Sequence, residues 1–401
     1  MFLEFIIALI LGIITGTLTG LFPGIHINLV ATLLTASLGF FTSMNIPLIA
    51  LAIFVTAMSI THTFLDFIPS IFLGAPEEDS FLSILPGHQM LKEGNAHEAF
   101  VITIYGSITA LIIILLFSPI YIYFLPSIFS IAKIAIPFIL IFISLYLIFR
   151  EEKPFISFIV FSLAGLLGFL TFNLPVKEPL MPLLSGLFGL SALIISLKTN
   201  SKIPKQHIKP LKRIKMPKKE FFKALIALII SSPLVAFLPA IGSGHSATIG
   251  SEIIPQGRKG FLFLVGATNT IIMGLSFITV YSIGKARSGS AAAIHEILKS
   301  FSQSDLILIL SAILISGVLA AIIGIQVSKL CAKNISKINY ALLTMITLTI
   351  IIAINIIFSN SLGILILVIS TSLGIFAITS ESRRINLMGA LIIPAILYYL
   401  L

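Results

Sequence analysis

Long runs of apolar residues follow one another along nearly the whole chain, and short polar or Pro/Gly-containing stretches separate them. A helix needs ~20 apolar residues to cross a membrane, so a chain of this length accommodates roughly ten to twelve spans. The pattern therefore predicts an all-α polytopic membrane protein. The runs cover residues 2 to 20, 26 to 42, 46 to 74, 99 to 126, 131 to 149, 155 to 172, 179 to 197, 221 to 240, 246 to 254 with 260 to 284, 286 to 299, 304 to 330, 338 to 358, 361 to 378 and 385 to 401.

Two of the interruptions contain residues that stop a helix, namely Pro23-Gly24 and the segment from Pro239 to Gly244. Proline removes a backbone donor and clashes with the preceding turn, while glycine permits left-handed or extended backbone. A broken helix persists in a membrane only where its freed backbone groups are buried in protein or line a wet cavity. The sequence therefore predicts two helices broken within the membrane.

Composition agrees with this architecture, since 58% of the residues are hydrophobic, 10% are charged and the mean hydropathy is +1.14. A large soluble catalytic domain is excluded. Residues 198 to 223 contain ten Lys or Arg and one acid, and this loop holds nearly all of the net charge of +10. A basic loop in a hydrophobic chain is typical of the cytoplasmic side of a membrane, and it argues against a nucleic-acid partner. Arg383 and Arg384 are predicted as another cytoplasmic anchor.

The basic loop divides the chain almost in half and is predicted to be a flexible cytoplasmic linker, residues 198–220, because it contains three prolines and no apolar periodicity. It separates an N-terminal transmembrane repeat, residues 1–197, from a C-terminal one, residues 221–401. Three short matches occur in the same order in both halves, which predicts two related halves, of inverted topology. They pair 21–25 with 237–241, 61–63 with 268–270, and 72–75 with 282–285.

A helix that begins at a break directs unpaired N–H groups and a partial positive charge into the break, which suits a carboxylate or a phosphate. Polar residues surround both breaks. Packing at a proline kink is the competing explanation, but its occurrence in both halves favours a ligand site. The predicted substrate-binding residues are Pro23, Gly24, His26, Asn28, Pro239, Gly242, Ser243, Gly244, His245, Ser246, Lys285 and Arg287.

Asp66 lies between apolar runs, with His62 four residues earlier on the same helical face. An acid at membrane depth suggests a proton or Na⁺ site, and we predict that Asp66 and His62 couple transport to an ion gradient. A helix-capping Asp without a transport role is the alternative. No nucleophile, base and orienting group recur at a recognisable spacing, so the sequence predicts no catalytic residue, no metal site and no cofactor.

Three segments resemble the large membrane subunit of tripartite tricarboxylate transporters, the TctA-like permeases: Gly20 to Ile25, Ile71 to Pro76 and Leu85 to Ala99. The family's Gly/Met/Gly/Ala/Glu/Ala pattern is matched by Gly87, Met90, Gly94, Ala96, Glu98 and Ala99. The resemblance covers about residues 10 to 110 well and 232 to 295 loosely. It implies a permease for an organic anion, driven by an ion gradient and partnered by a small membrane subunit and an extracytoplasmic binding protein.

The chain departs from the family pattern in two loops, which carry Glu77-Glu78-Asp79 in one half and Lys285 with Arg287 in the other. The opposite charges pair if the loops meet near the axis between the halves, because unpaired ions at membrane depth are costly. Alternatively Lys285 and Arg287 hold an anion, or both loops lie in water. These departures argue against citrate or another simple tricarboxylate as the substrate.

Taken together, the sequence predicts a secondary transporter of the cell membrane whose ligand lies between the two breaks and whose bundles alternate access to it. Two other functions stay open. One is the translocation of an anionic lipid carrier, such as a polyprenyl phosphate, which the same broken helices could hold. The other is a membrane scaffold subunit without transport of its own.

Overall fold

The computed structural model describes residues 2–22, 27–74, 84–199, 203–235, 238–337 and 339–401. These residues form helices joined by short connections, and no strand occurs among them. The helices of the first half are α1 (Phe2–Leu21), α2 (Ile27–Ala36), α3 (Leu38–Ser43), α4 (Leu48–Leu65), α5 (Phe67–Leu73), α6 (Ile84–Lys92), α7 (Ala96–Phe149), α8 (Pro154–Asn173), α9 (Leu180–Leu184), a π-helical segment (Ser185–Leu190) and α10 (Ser191–Thr199).

The second half begins with α11 and ends close to the C-terminus. Its helices are α11 (Lys218–Val235), α12 (Ser243–Ile253), α13 (Arg258–Ile283), α14 (Gly289–Leu298), α15 (Gln303–Asn334), α16 (Tyr340–Phe358), α17 (Ser361–Thr379) and α18 (Gly389–Leu400), with a 3₁₀ turn (Arg384–Met388) before α18.

Nine helical stretches within the described ranges are long and apolar enough to cross a membrane. The helices α4 and α13 are almost entirely buried and form the centre of the bundle, whereas large apolar side chains such as Leu116 and Phe142 are more than two-thirds exposed at its periphery. Exposed apolar side chains in such numbers are expected where lipid replaces water. The predicted all-α polytopic membrane fold is therefore confirmed.

The two halves repeat one series of elements. In the first, α4 and α5 together cover 26 residues and end at Gly74, whose φ of 64° is left-handed. In the second, α13 covers 26 residues and ends at Gly284, also with a φ of 64°. A left-handed residue after a helix is the conformation that glycine adopts without steric cost. A short helix follows each glycine, α6 in the first half and α14 in the second.

Two equivalent close contacts join the first half to the second. A Cβ on Gly168 of α8 would meet the carbonyl oxygen of Ala390 in α18, and a Cβ on Gly374 of α17 would meet the carbonyl oxygen of Leu187. Gly374 follows Gly168 by 206 positions and Ala390 follows Leu187 by 203, so the same helix pairs are formed twice. Backbone approach this close requires a small residue at each crossing. Packing of this kind is expected of two related halves, whose inverted topology stays a prediction.

Helix α7 bends back on itself. Near its start Glu98 pairs with Lys259 at 2.6 Å, and just beyond its end Arg150 pairs with Glu252 at 2.7 Å. Glu252 and Lys259 are seven residues apart and so at most about 25 Å apart. A straight helix of the 54 residues of α7 would span about 80 Å. The helix must therefore turn back, and bends of this kind occur at prolines, here Pro119, Pro126 and Pro137.

The sequence predicted an interruption between residues 126 and 131, and this prediction is wrong, because the helix continues through it. Proline removes one hydrogen bond and bends a helix, but neighbouring helices can hold the bend in place without ending it.

The segment 203–217 is docked against the helices, which corrects the prediction of a flexible linker for this part. The Gln206 side chain accepts from the amide of Ala96 at 3.0 Å and donates to the carbonyl of Leu91 at 3.0 Å. Lys209 pairs with the buried Glu98 at 2.5 Å. Hydrogen bonds and an ion pair with α6 and α7 therefore hold this segment in place, although it lacks a long helix of its own. We call the end of the molecule that carries this segment the basic face.

Helix directions follow from the paired residues. Helices α7 and α13 are parallel, since Ser107 bonds the carbonyl of Gly266 at 3.0 Å and Tyr121 bonds Thr279 at 3.1 Å. Helix α15 runs antiparallel to α7, because His97 contacts Ser328 at 3.0 Å near the start of one and the end of the other. The start of α13 and the end of α15 thus lie at the basic face.

Candidate functional site

The first break joins α1 to α2. Pro23, Gly24 and His26 lie outside the described residues, and so does the acidic stretch 77–79. Helix α2 begins at Ile27, which places Asn28 in its first turn. Of the residues predicted at this break, Asn28 is the one that the structure describes.

The second break lies between α11 and α12. Ala240 has a φ of 60°, a left-handed conformation that costs a residue with a Cβ roughly 1–2 kcal/mol. In the repeat alignment Ala240 matches Gly24, a residue type that adopts the conformation freely. Gly242 is extended and begins α12 without a side-chain cap. The N–H groups of the first turn of α12 therefore lie at the break.

Most polar residues of α12 are buried, and two of them bond within the protein. Ser246 donates to the Ser231 hydroxyl of α11 at 3.0 Å, and Thr248 donates to the carbonyl of Gly244 at 3.0 Å. Ser243 and His245 are also buried. The structure thus places Ser246 in the interface between α11 and α12, while Gly242 lies at the edge of a cavity.

This cavity, which we call the central cavity, has a volume of about 360 Å³ and lies between the broken helices and the pair α8 and α18. It brings together Asn28, Gly242 and Arg287 from the predicted set. Its lining consists of Asn28, Phe172, Leu180, Ala240, Ile241, Gly242, Asn269, Ile272, Met273, Ser276, Arg287, Ser288, Gly289, Leu391, Pro394 and Ala395. The volume falls within the ~300–1,000 Å³ typical of small-molecule sites.

Arg287 is the charged group among the described residues of this lining. Its Nη2 atom donates to the carbonyl of Ile241, so the loop before α14 is tied to the break before α12. Lys285, two residues earlier, is exposed and is not part of the lining. Of the two predicted bases, Arg287 therefore faces the cavity.

The N-terminus of α14 completes the cavity wall. Ser288 caps the helix by accepting from the amide of Ala291 at 3.2 Å, and its hydroxyl lies 3.4 Å from that of Ser276. A Cβ on Gly289 would stand 2.6 Å from the Oδ1 atom of Asn28. The starts of α2, α12 and α14 therefore converge on one volume, and each contributes the positive end of a helix dipole.

The two predicted coupling residues face different neighbours. Asp66 is buried and accepts from the Asn269 amide at 2.9 Å, and Asn269 in turn lines the central cavity. His62 is also buried, and its Nδ1 atom lies 3.1 Å from the Thr19 hydroxyl of α1. Beside them the hydroxyls of Thr63 and Thr270, which match each other in the repeat alignment, lie 3.3 Å apart. Asp66 thus lies one side chain behind the cavity wall.

The sequence did not predict several residues that line the central cavity. Asn269 was recognised as a repeat match but not as a wall residue, and Ser276 lies inside an apolar run with no signal of its own. Ser288-Gly289 carries a signal that could have been used, since Ser followed by a small residue often caps a helix. The apolar wall from α8 and α18 depends on packing between distant segments. Within the described ranges, no three His, Cys, Asp or Glu side chains gather as a metal-ion site.

Comparisons with known proteins identify the family of the chain. An uncharacterized protein of Methanocaldococcus jannaschii is 32% identical over 393 residues, which cover 94% of each chain. No solved structure matches the chain. The model of the family described as "Tripartite tricarboxylate transporter TctA family" matches residues 6–389, nearly the whole length. The chain is therefore a multi-pass membrane component of a transporter family, and it belongs to the tripartite tricarboxylate transporter TctA family.

Proposed function

We propose that the chain is a permease that carries a small organic anion, such as a carboxylate, through the central cavity. The family is one of transporter components and not of enzymes. The observation that carries the proposal is the position of Arg287 at a point where three helix N-termini meet. Helix N-termini and a guanidinium are the groups that proteins use most readily to bind carboxylates.

The electrostatics of the lining favour an anion. Arg287 supplies one positive charge, and none of the described lining residues is an acid. The amide of Asn28 and the hydroxyls of Ser276 and Ser288 add groups that can donate hydrogen bonds. The opposite wall, which includes Phe172 and Leu391, is apolar and suits the carbon skeleton of a ligand. An anion with a short apolar body fits both walls.

The access mechanism follows from the two repeats, residues 1–197 and 221–401, joined by 198–220. Helices α7 and α15 occupy equivalent places in the series of elements and run antiparallel, which supports an inverted topology. In such transporters one bundle rocks or slides against the other around a fixed site. The cavity between the broken helices and α8 with α18 is then the path between two such bundles.

Ion coupling is assigned to Asp66, with His62 as its neighbour on α4. Binding of a proton or Na⁺ at Asp66 changes the charge that faces Asn269, and Asn269 contacts both Asp66 and the cavity. The anion and the ion therefore share one wall residue. A shared residue is a physical means by which occupancy of one site alters the affinity of the other.

We place the protein in the cell membrane with its basic face in the cytoplasm. Lys209 lies at this face, and so do Lys329 and Lys333 at the end of α15. Positive residues concentrate in cytoplasmic loops. The description of the family as tripartite supports two partners, a small membrane subunit and an extracytoplasmic binding protein.

A thermal-stability screen of the detergent-purified protein tests the function. A ligand of the folded state raises the melting temperature by mass action. The panel contains succinate, citrate, inorganic phosphate and a polyprenyl phosphate, each at several pH values and Na⁺ concentrations. Stabilisation by a carboxylate supports the proposal. Stabilisation by the polyprenyl phosphate alone identifies a lipid-carrier translocase instead, and no stabilisation by any anion points to a scaffold subunit.

A further inference from the structure

A second cavity, which we call the basic-face chamber, has a volume of about 660 Å³ and lies between α6, α10, α12 and the connection from α17 to α18. Its lining combines charged residues with hydroxyl-bearing and apolar ones. The described lining consists of Gly74, Pro86, His88, Lys92, Ala192, Ile195, Ser196, Thr248, Ser251, Glu252, Phe261, Ile378, Glu381, Ser382, Arg383 and Arg384.

Helix α12 connects the chamber with the central cavity. Its first residues follow Gly242 at the central cavity, and Ser251 near its end lines the chamber. Nine residues of α-helix cover about 14 Å. The chamber therefore lies on the basic-face side of the central cavity, one short helix away.

The two cavities are also related by the internal repeat. Ala395 lines the central cavity and Ala192 the chamber, at the shift of 203 positions that relates α18 to the π-helical segment and α10. Phe172 lines the central cavity and Ile378 the chamber, at the shift of 206 that relates α8 to α17. The two cavities thus occupy equivalent positions in the repeat, and both halves contribute to the lining of each.

Arg384 holds a fixed position in the chamber wall. Its Nη2 atom donates to the carbonyl of Phe188, and its guanidinium carbon lies 5.6 Å from the centre of the Phe188 ring. Phe188 belongs to the π-helical segment, and π-helical turns occur frequently at functional sites. The Nε atom of Arg384 is shielded from solvent and has no hydrogen-bond partner in the described part of the chain.

The acids of the chamber are already neutralised by other bases. Glu252 pairs with Arg150 at 2.7 Å and with Arg383 at 3.2 Å, while Glu381 pairs with Lys153 at 2.5 Å. Arg384 has no such partner, since no described carboxylate lies within ion-pairing distance of it. The chamber therefore holds a surplus of positive charge that is not consumed by internal pairs.

We propose that the basic-face chamber is a second anion-binding site, in which Arg384 binds a carboxylate group of the transported anion. The inference rests on the proposed function, because it assigns the chamber to the same class of ligand as the central cavity. An anion that leaves Arg287 meets a second guanidinium about one short helix away, before it reaches the basic face. A planar guanidinium offers paired donors that match a carboxylate, which a lysine at this place would not.

The test uses the full-length protein in nanodiscs, with Cys331 replaced by Ser and one new cysteine in each cavity. Ala192→Cys reports on the chamber and Ala395→Cys on the central cavity, at positions that match in the repeat. The rate of maleimide labelling is measured against the concentration of succinate or citrate. Arg384→Gln, Arg287→Gln and the surface variant Arg258→Gln are compared in both backgrounds.

We expect the anion to protect both cysteines from labelling. Arg384→Gln should raise the half-protecting concentration at Ala192→Cys by about tenfold or more, and should change it at Ala395→Cys by less than about twofold. Arg287→Gln should raise the half-protecting concentration at Ala395→Cys and change it at Ala192→Cys by less than about twofold. Arg258→Gln should leave the half-protecting concentration at both cysteines unchanged. Arg384→Lys covers the case in which the Gln variant does not fold, because it keeps the charge and loses the paired donors, so intermediate protection is expected.

Three results would overturn the inference while the proposed function stands: protection at Ala395→Cys alone, protection at Ala192→Cys that no Arg384 variant alters, or loss of protection at both sites in Arg287→Gln. The last result means that the chamber closes when the central cavity is filled. Absence of protection at both cysteines by succinate and by citrate contradicts the proposed function itself.

Discussion

Asn28 of the first half lies directly against Gly289 of the second, so closely that a Cβ on Gly289 would stand 2.6 Å from the Asn28 Oδ1 atom. Asn28 belongs to the first turn of α2, and Gly289 is the first residue of α14. The contact joins the starts of two short helices from different repeats at the wall of the central cavity. The two halves therefore build one site in common.

Gly289→Ala should destabilise this junction, since the added methyl group has no room. Overpacking of a close contact costs about 1–3 kcal/mol. We expect a lower melting temperature in the single variant and partial recovery in the double variant with Asn28→Ala, which removes the two closest atoms. Gly39→Ala is the control, because an added Cβ at Gly39 meets nothing within 4 Å. Equal melting temperatures for Gly289→Ala and Gly39→Ala would contradict the geometry.

The two breaks could be predicted because they are local patterns of the sequence. Pro and Gly mark the breaks whatever the rest of the chain does. The neighbours of each break could not be predicted in the same way. Arg287 faces the cavity and Lys285 does not, because the path of the loop between α13 and α14 decides which side chain points inward.

Asp66→Asn should uncouple transport from the ion gradient. The substitution removes the titratable group and keeps the shape of the side chain next to Asn269. In proteoliposomes we expect exchange of internal for external succinate to persist, while uptake driven by a pH or Na⁺ gradient is lost. Asp305→Asn serves as the matched control, since Asp305 is a partly exposed residue in the cap of α15, remote in sequence from Asp66. Gradient-driven uptake at the wild-type rate in Asp66→Asn would refute the coupling role.

Glu98→Gln should loosen the docked segment 203–217. Glu98 is buried and pairs with Lys209 at 2.5 Å and with Lys259 at 2.6 Å. Both lysines are partly exposed, which moderates the effect, so we expect a loss of about 1–2 kcal/mol. Hydrogen exchange of the amides around Gln206 and Ile214 should accelerate.

Glu93→Gln provides the comparison, because Glu93 pairs with Arg258 at 2.7 Å where both side chains are about half exposed. A surface pair contributes roughly 0–1 kcal/mol. The docking account requires Glu98→Gln to accelerate exchange more than Glu93→Gln does, and equal exchange in the two variants would contradict it.

Acidification should weaken the ion pairs at the basic face. Burial alone would raise the pKa of Glu252, but hydrogen bonds and charges from Arg150 and Arg383 outweigh it and hold the pKa below the ordinary 4.5. A carboxyl with a lowered folded-state pKa contributes stability above its unfolded pKa and loses it as the pH falls through the folded-state value. Glu252→Gln should therefore flatten the decline of melting temperature between about pH 5 and pH 3.

The pKa of Glu151, which also lies near Arg383, is shifted in the opposite direction. Burial raises its pKa above the ordinary value, although Arg383 and Asn386 oppose the shift. Its ionised form costs stability, and that cost disappears as the pH falls. Glu151→Gln should thus steepen the decline that Glu252→Gln flattens. Changes of the same sign in the two variants would contradict the assignment.

The fold was more predictable than the site because apolar runs of spanning length leave little choice of architecture in a membrane. The docking of segment 203–217 and the contacts of the polar residues of α12 could not be predicted in this way. Gln206 and Ser246 bond to residues of other helices, and periodicity within a single segment carries no information about those partners. The prolines of α7 predict bends but not their direction, which the contacts at its two ends reveal.

Equilibrium binding of radiolabelled succinate and citrate to the purified protein tests the central claim most directly. The account predicts saturable binding that Arg287→Gln weakens by about ten- to a hundredfold, as expected for the loss of about 1.5–3 kcal/mol from a charged hydrogen bond. Arg258→Gln, on the surface, should leave the dissociation constant within about twofold of the wild-type value. Binding that Arg287→Gln leaves unchanged would contradict the account. So would a protein that binds neither succinate nor citrate saturably.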